Sequence, residues 1–341
     1  MLDQTGPIPG AALWPALAGA ARAEDGGAPI APTMRRILQS GLLDEDDPYR
    51  LARILVALGE ANLPAARLAE GHVNARLLLD LYGGGCDAPD RLHGVWGADG
   101  DRPVAMEGGR LTGAKRYASG LGCVARAIVT VAAEDGARLA WVDVTDAARH
   151  RPGTWRMSGM RATASGDIDL DGLRPEWVGG PGDYHREPHF VGGVWRIAAL
   201  QLGGTLGLLG AARDWLGARD RMGADAQVAR LAPLLARAMA AFGLVERAAD
   251  VASGPQGRAD PDRAVMLSSQ ARLLTEDLAQ DAVAAVERSV GMAHFEAGSE
   301  TGRIARDLAT YCRQAARDAF EQRAGRIALA RPGRLSELWH G

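Results

Sequence analysis

An aromatic side chain and a hydroxyl stand two residues apart at Tyr117 and Ser119, within the segment Leu111 to Gly120. Residues two apart lie on the same face of a β-strand, so one strand would present both side chains to the same ligand. An aromatic face and a hydroxyl together suit a planar group that is apolar on its face and polar at its edge. The same spacing is common in ordinary half-exposed strands, which is the alternative interpretation.

Composition favours a soluble globular protein with two or three packed domains. The chain has 341 residues, of which 47% are hydrophobic, and this allows a large total core. The formal net charge of −3 gives no electrostatic reason to expect nucleic acid or an anionic membrane as a partner. The longest apolar stretch, Ile197 to Ala212, is shorter than the roughly 20 residues that span a bilayer, so it predicts a buried helix.

The N-terminal residues and the cysteines indicate the cellular setting. Met1 to Gly10 lacks the basic region and apolar core of a signal peptide, so we expect a cytoplasmic protein. Cys86, Cys123 and Cys312 are odd in number and not clustered, which argues against a disulfide framework and against a zinc site. The histidines show no metal-ligand spacing, so no metal is predicted.

The hydrophobic pattern predicts helices, then strands, then helices again. We expect an abbreviated N-terminal helical domain at 1–90, ended by turn formers at 83–89. A central β-domain at 91–188, a C-terminal helical bundle at 189–330 and a tail at 331–341 follow. This order is of the α+β class and excludes a doubly wound parallel sheet.

Within these domains the spacing predicts individual elements. Short apolar runs at 127–131 and 139–144 predict strands. A long helix is predicted to include Leu267 to Val290. One stripe of the helix before it carries Val228, Leu231, Leu235, Met239 and Phe242.

Two stretches resemble the central β-domain of the acyl-CoA dehydrogenase superfamily. They are Leu111-Thr-Gly-Ala-Lys-Arg-Tyr-Ala-Ser-Gly120 and Gly159-Met-Arg-Ala-Thr-Ala-Ser-Gly-Asp-Ile-Asp-Leu-Asp-Gly172. The first is similar to the family's Gly-x-Lys-x-Trp-Ile-Thr strand. The resemblance extends over roughly 63–328 and implies an acyl-CoA dehydrogenase-like fold with a C-terminal four-helix bundle, in a divergent and shortened member. It also implies FAD as the cofactor, with Tyr117, Ala118 and Ser119 against the flavin.

The resemblance implies further cofactor-binding residues. Trp96 stands where the family has a loop over the flavin, and a core tryptophan is the alternative. Arg219 corresponds to an arginine that reaches the flavin pyrophosphate of a neighbouring subunit, a group that the guanidinium fork suits. Arg288 and Gly291 fall on a second cofactor segment, in which Arg288 replaces glutamine. Solvated surface arginines are the alternative at both arginine positions.

Family dehydrogenases need a carboxylate base to remove a proton from the substrate. Alignment puts Gln314 and Ala315 at one family position for that base and Trp195 at the other, so no catalytic residue is assigned. The nearest replacement candidates in sequence are His294, Glu296 and Glu300. The substrate pocket is expected to include His72, Trp195 and Gln314, and a satisfied structural histidine is the alternative at His72.

Three functions remain open from the sequence. The first is an FAD-dependent oxidoreductase acting on an acyl thioester or related small molecule, with an electron-transfer flavoprotein as redox partner. The second is a flavin monooxygenase of the same fold, which needs no such base and takes reduced flavin from a flavin reductase. The third is a non-catalytic scaffold, in which Tyr117, Ser119 and Arg219 would not converge on one cleft. A homodimer or homotetramer is expected.

Overall fold

The structure is a computed structural model that describes residues 12–83 and 90–338. Most of the turn formers predicted to end the helical domain, at 84–89, lie outside the described residues. The segment Met1 to Gly10, Cys86 and the last residues of the tail, 339–341, also lie outside them.

Helices form the N-terminal part of the described chain. They are α1 (Leu13–Asp25), α2 (Ala31–Gln39), α3 (Pro48–Ala61) and α4 (Leu63–Tyr82). Side chains cap two of them, because Asp47 accepts a hydrogen bond from Arg50 N and Asn62 accepts one from Ala65 N, each at 3.1 Å. A proline follows each cap in the first turn, where a helix needs no N–H donor. The sequence therefore sets where α3 and α4 begin.

Strands form the central part of the chain. They are β1 (His93–Trp96), β2 (Ala105–Glu107), β3 (Arg110–Thr112), β4 (Ala114–Ala118), β5 (Arg126–Val131), β6 (Arg138–Asp143), β7 (His150–Arg151), β8 (Gly166–Asp169) and β9 (Glu176–Val178). One sheet has the order β1-β5-β6-β9, with β1 parallel to β5 and the other pairs antiparallel. The antiparallel sheet β4-β8-β7 carries the Tyr117 segment. This mainly antiparallel arrangement between helical parts confirms the predicted α+β class.

Helices again form the C-terminal part of the described chain. They are α5 (Trp195–Gly217), α6 (Asp225–Ser253), α7 (Pro255–Ala259), α8 (Pro261–Val290), α9 (Glu300–Tyr311) and α10 (Arg317–Ala330). Helix α3 packs against α5 and α6, and both of these pack against α8. The C-terminal helices form the predicted bundle, and α3 of the N-terminal part packs onto it.

Glycines explain why α3 joins the bundle. A Cβ atom on Gly203 of α5 would collide with the Val56 carbonyl oxygen of α3, and one on Gly59 would lie 3.0 Å from the Leu200 carbonyl oxygen. The two backbones can approach this closely only without side chains at the crossing. The glycines within the apolar stretch predicted to be a buried helix therefore serve helix packing, and α5 is a core helix.

The stripe predicted on α6 is largely exposed. Val228, Leu235 and Met239 are 46%, 48% and 78% exposed, whereas Leu231 of the same stripe is buried together with the adjacent Leu234. Among the described residues, α6 and the segment 191–217 are long and apolar enough to cross a membrane. The apolar window of the segment 191–217 is mostly buried inside the protein, whereas only 28% of the apolar window of α6 is buried. This outer face of α6, Val228, Leu235 and Met239, is called the α6 face below.

Candidate active site

A cleft of about 890 Å³ lies between the β-domain and the C-terminal helices. One wall is the end of β4 together with the segment 155–165, and the opposite wall is the end of α8, the turn at 291–295 and α9. Four of the candidate residues named from the sequence line it, Tyr117, Ser119, His294 and Gln314. Arg67, from α4, also reaches this cleft.

Tyr117 owes its orientation to an irregular strand. The pairing of β4 with β8 shifts register between Lys115 and Ala118, and Tyr117 has a left-handed φ of 58°. Such a backbone is uncommon for a residue with a bulky side chain and marks a site that its surroundings constrain. The prediction that Tyr117 and Ser119 share a face through regular alternation is wrong in its mechanism, because the bulge intervenes and β4 ends at Ala118. Both side chains nevertheless line the cleft.

An aromatic pair forms part of the cleft wall. The Tyr117 ring lies edge to face with Trp155, with 6.0 Å between ring centroids and 85° between planes. Tyr117 is 48% exposed and lines the cleft, so part of its ring is available to a ligand. Trp155 was not among the residues predicted from the sequence, although an aromatic residue just upstream of the Gly159 stretch is a usable signal.

Hydroxyl groups form a row along the same wall. Ser165 Oγ lies 3.3 Å from Ser119 Oγ and 2.7 Å from Thr163 Oγ1. Thr163 Oγ1 in turn donates to the Met160 carbonyl oxygen at 2.6 Å. Ser119 is therefore the half-buried end of a chain of hydroxyls that can hydrogen-bond the edge of a bound ring.

Gln314 lines the cleft just after the end of α9. Its side-chain Nε2 donates to the Tyr311 carbonyl oxygen at 2.7 Å. Tyr311, on the last turn of α9, is buried and also lines the cleft. Burial, with the nearby Glu70 charge adding to it, raises the pKa of the Tyr311 hydroxyl, so this group is a proton donor in hydrogen bonds at neutral pH.

Other predicted site residues lie away from this cleft. Trp96 is buried in β1, in agreement with the core-tryptophan alternative, and Ala118 is buried in β4 beside the lining residues. Trp195 begins α5 and borders a separate cavity of about 150 Å³. His72 is buried on α4, where its Nδ1 accepts a hydrogen bond from His93 N at 3.2 Å.

The contacts of His72 are those of a structural residue. Its ring stacks on His93 at 5.3 Å between centroids, and His93 contacts Trp141 edge to face. Burial, followed by the neighbouring His93 and Arg76, lowers the pKa of His72 to about 3. The imidazole is therefore neutral at physiological pH and links α4 to β1.

The predicted phosphate-binding arginines are exposed. Arg219 follows α5, where its guanidinium lies 3.9 Å from the Trp215 ring centroid and donates to the Trp215 carbonyl oxygen at 3.1 Å. Arg288 is on the last turn of α8, and Gly291, with a φ of 74°, ends that helix. The turn that follows Gly291 brings Phe295 into the cleft. Neither arginine lines the cleft of its own protomer as the described residues form it.

Acidic and basic candidates are distributed unevenly around the cleft. His294 lines it and lies 3.1 Å from Thr301 Oγ1, and burial lowers its pKa. Glu296 is exposed, and Glu300 is held by ion pairs with Arg303 and Arg22. Neither of these glutamates lines the cleft, whereas Glu287 of α8, which was not predicted from the sequence, does.

The described elements define the class of fold. Helices precede a β-domain, a helical bundle follows it, and a large cleft separates the β-domain from the C-terminal helices. This is the acyl-CoA dehydrogenase fold, as the resemblance in the sequence implies. Across the described residues, no group of His, Cys, Asp and Glu side chains is arranged to hold a metal ion.

Solved structures with this fold superimpose on nearly the whole chain. The dibenzothiophene monooxygenase TdsC from Paenibacillus sp. A11-2 is 17% identical with a TM-score of 0.75, covering 92% of this chain and 95% of that one. The HsaA monooxygenase from M. tuberculosis is 15% identical with a TM-score of 0.74, covering 95% and 97%. XiaF from Streptomyces sp., in complex with FADH2 and glycerol, is 20% identical with a TM-score of 0.72, covering 94% of each chain. No family model and no curated protein matches the sequence.

Proposed function

We propose that this protein is a flavin-dependent oxidoreductase and that its reaction is a monooxygenation. The observation that carries the proposal is the composition of the cleft. Tyr117 and Ser119 face it, while Gln314 occupies the family position of a catalytic carboxylate. Trp195, at the other family position for that base, lies in the core. The fold neighbours TdsC and HsaA are monooxygenases, which adds support.

The residues of the cleft fit a flavin ring. The exposed ring of Tyr117, buttressed by Trp155, offers an aromatic face, and the hydroxyl row ending at Ser119 offers hydrogen bonds for a polar edge. Bound flavin would supply two-electron redox chemistry and, in its reduced form, reaction with dioxygen. The protein residues would hold the ring and keep bulk water from the site.

We propose FAD as the form of the cofactor, although fold neighbours are described with both forms. TdsC has been solved bound to FMN and XiaF with FADH2. FAD carries a pyrophosphate that FMN lacks, and exposed Arg219 and Arg288 would bind it from a neighbouring protomer. This arrangement requires a homodimer or homotetramer, for which the exposed α6 face is the contact surface we favour.

Dehydrogenation of an acyl thioester is the second candidate function. It is favoured by one observation, the presence of the half-buried Glu287 carboxylate on the wall of the cleft. A carboxylate in this position would take the substrate proton that the family reaction releases. In that case the redox partner would be an electron-transfer flavoprotein, whereas a monooxygenase would take reduced flavin from a flavin reductase. For either reaction we propose a cytoplasmic location.

The visible spectrum of the purified protein, titrated with FAD and with FMN, tests the shared part of the proposal. We expect saturable binding that Tyr117→Ala weakens about tenfold through loss of ring contact. Tyr117→Phe keeps the ring and is the matched control. Absence of flavin binding would contradict both enzymatic functions and leave the scaffold hypothesis.

Reduction of the bound flavin separates the two reactions. We expect that butyryl-CoA leaves the oxidised flavin spectrum unchanged without oxygen, and that the reduced flavin reoxidises on exposure to air. Anaerobic bleaching by butyryl-CoA, abolished by Glu287→Gln, would instead support dehydrogenation with Glu287 as the base.

A further inference from the structure

A smaller cavity of about 220 Å³ adjoins the cleft and is called the inner cavity here. Arg67, Tyr311 and Gln314 line both spaces and form the wall they share. Glu70, Asn74 and Tyr184 line only the inner cavity. A substrate placed in the cleft can therefore present one end to a second set of polar groups.

The charges around the inner cavity do not balance. Arg67 Nη1 lies 2.5 Å from Glu70 Oε2, and Arg196 Nε lies 3.8 Å from Glu70 Oε1. Arg196 Nη2 also donates to Asn74 Oδ1 at 2.9 Å. Two guanidinium groups thus share one carboxylate in a largely buried region, which leaves one positive charge in excess among these three residues. Buried charges are normally paired, so this excess favours a negatively charged partner.

One buried hydrogen-bond donor of a residue that lines the inner cavity lacks a partner. Within the described residues, the Tyr311 hydroxyl makes no hydrogen bond. Tyr311 is only 5% exposed. Tyr311 lines the inner cavity together with Arg67 and Glu70. A buried donor without a partner is costly, and a ligand oxygen would satisfy it.

We propose that the inner cavity binds the anionic oxygen of a compact substrate, a phenolate or a carboxylate, through Arg67 and the Tyr311 hydroxyl. The proposal names the substrate class for the flavin enzyme proposed above and rests on that function. A long acyl chain does not suit this space, because an alkyl tail would leave the Tyr311 hydroxyl without a partner beside the charged Arg67 and Glu70 side chains. Gln314, on the shared wall, would mark the boundary between the bound oxygen and the reacting part of the substrate.

Calorimetric titration of the protein, with and without flavin, tests the proposal with benzoate, 4-nitrophenolate and the neutral benzamide. We expect at least one anion to bind about tenfold more tightly than benzamide, because a hydrogen bond to a charged group is stronger than a neutral one. Tighter binding of benzoate would identify carboxylic acids as the substrate class, and tighter binding of 4-nitrophenolate would identify phenols. Equal binding of benzamide, or no binding of either anion, would overturn the proposal.

Tyr311→Phe and Arg67→Met locate the binding. Each should weaken the favoured anion about tenfold while changing benzamide little. Because the Tyr311 hydroxyl has no partner in the described protein, Tyr311→Phe should fold with an unchanged or higher melting temperature. Arg76→Met is the matched control for Arg67, since Arg76 is on the same helix but pairs with Asp44 away from both cavities. Anion binding that survives in Tyr311→Phe and Arg67→Met would overturn the assignment.

The titrations separate this proposal from the proposed function. Flavin binding without anion selectivity would overturn the inner-cavity proposal and leave the flavin enzyme standing. Anion selectivity without flavin binding would support the inner cavity as an anion site and contradict the flavin enzyme.

Discussion

Asp307 Oδ1 accepts a hydrogen bond from Met160 N at 2.5 Å, and this bond joins the β-domain to α9 beside the cleft. The neighbouring residues reinforce it, because Gly159 packs directly against the Arg306 carbonyl oxygen. Arg303 Nη1 donates to the other carboxylate oxygen of Asp307 at 3.3 Å. The two walls of the cleft are thus held together at a point where the carboxylate is almost fully buried.

Asp307 should make stability depend on pH. Burial raises its pKa from 3.8 to about 6, although the Met160 hydrogen bond and Arg303 act in the opposite direction. Since the folded pKa exceeds the unfolded value, the protonated Asp307 carboxyl stabilises the folded state. That contribution is complete below the unfolded pKa and is lost as pH rises through the folded pKa. The free energy of unfolding of Asp307→Asn, relative to that of the original protein, should therefore rise by on the order of 1–3 kcal/mol between about pH 4 and pH 7. Denaturant unfolding at several pH values measures this change.

The exposed Asp101 provides the control for the Asp307 prediction. Asp101→Asn removes one negative charge from a fully exposed position and should not reproduce the pH-dependent gain. A difference between Asp307→Asn and the original protein that stays constant across this range would contradict the raised pKa.

Gly159→Ala should destabilise the protein. A Cβ atom at this position would collide with the Arg306 carbonyl oxygen, and neither backbone can move without disturbing the Met160–Asp307 hydrogen bond. We expect a loss of about 1–3 kcal/mol in the free energy of unfolding, as for other overpacked sites. Gly153→Ala is the matched control, because a Cβ atom there meets no atom within 4 Å. Similar stability of the two variants would refute the close contact.

Arg219→Ala should weaken FAD binding more than FMN binding. The predicted contact is with the pyrophosphate, which only FAD carries, so the variant should lose about tenfold in FAD affinity and little in FMN affinity. Titration followed by flavin fluorescence provides both dissociation constants. Arg221→Ala is a suitable control, because Arg221 also lies near Trp215, at 6.0 Å from the ring centroid. Equal losses for the two flavins would remove Arg219 from the pyrophosphate site.

Met239→Glu should shift the protein towards smaller oligomers. Met239 is the most exposed residue of the α6 face, and a buried, unpaired carboxylate in a subunit contact is strongly unfavourable. Size-exclusion chromatography with light scattering measures the mass. Leu329→Glu, at an 81% exposed leucine of α10, should leave the mass unchanged. If both variants keep the original mass, the α6 face is not the subunit contact.

Some of the residues that line the cleft were predicted from the sequence, and others were not. The Gly113-x-Lys115-x-Tyr117 pattern led to Tyr117 and Ser119, and both line the cleft. The alignment that brought Gln314 to a family base position also selected a lining residue. Trp155, Glu287 and the Met160–Asp307 contact were not predicted, because each depends on which distant segments meet across the cleft.

The sequence by itself determined the order of helices and strands, since hydrophobic period, capping residues and turn formers act locally. It also contains the two stretches whose resemblance to the acyl-CoA dehydrogenase superfamily implies the fold. Only the tertiary structure decided that a bulge turns Tyr117 into the cleft, that α3 completes the bundle and that the stripe on α6 faces outward. It alone brought Arg67, Glu70 and Tyr311 around one cavity, with Arg196 paired to Glu70. These features depend on close packing between residues far apart in the chain, which local periodicity does not encode.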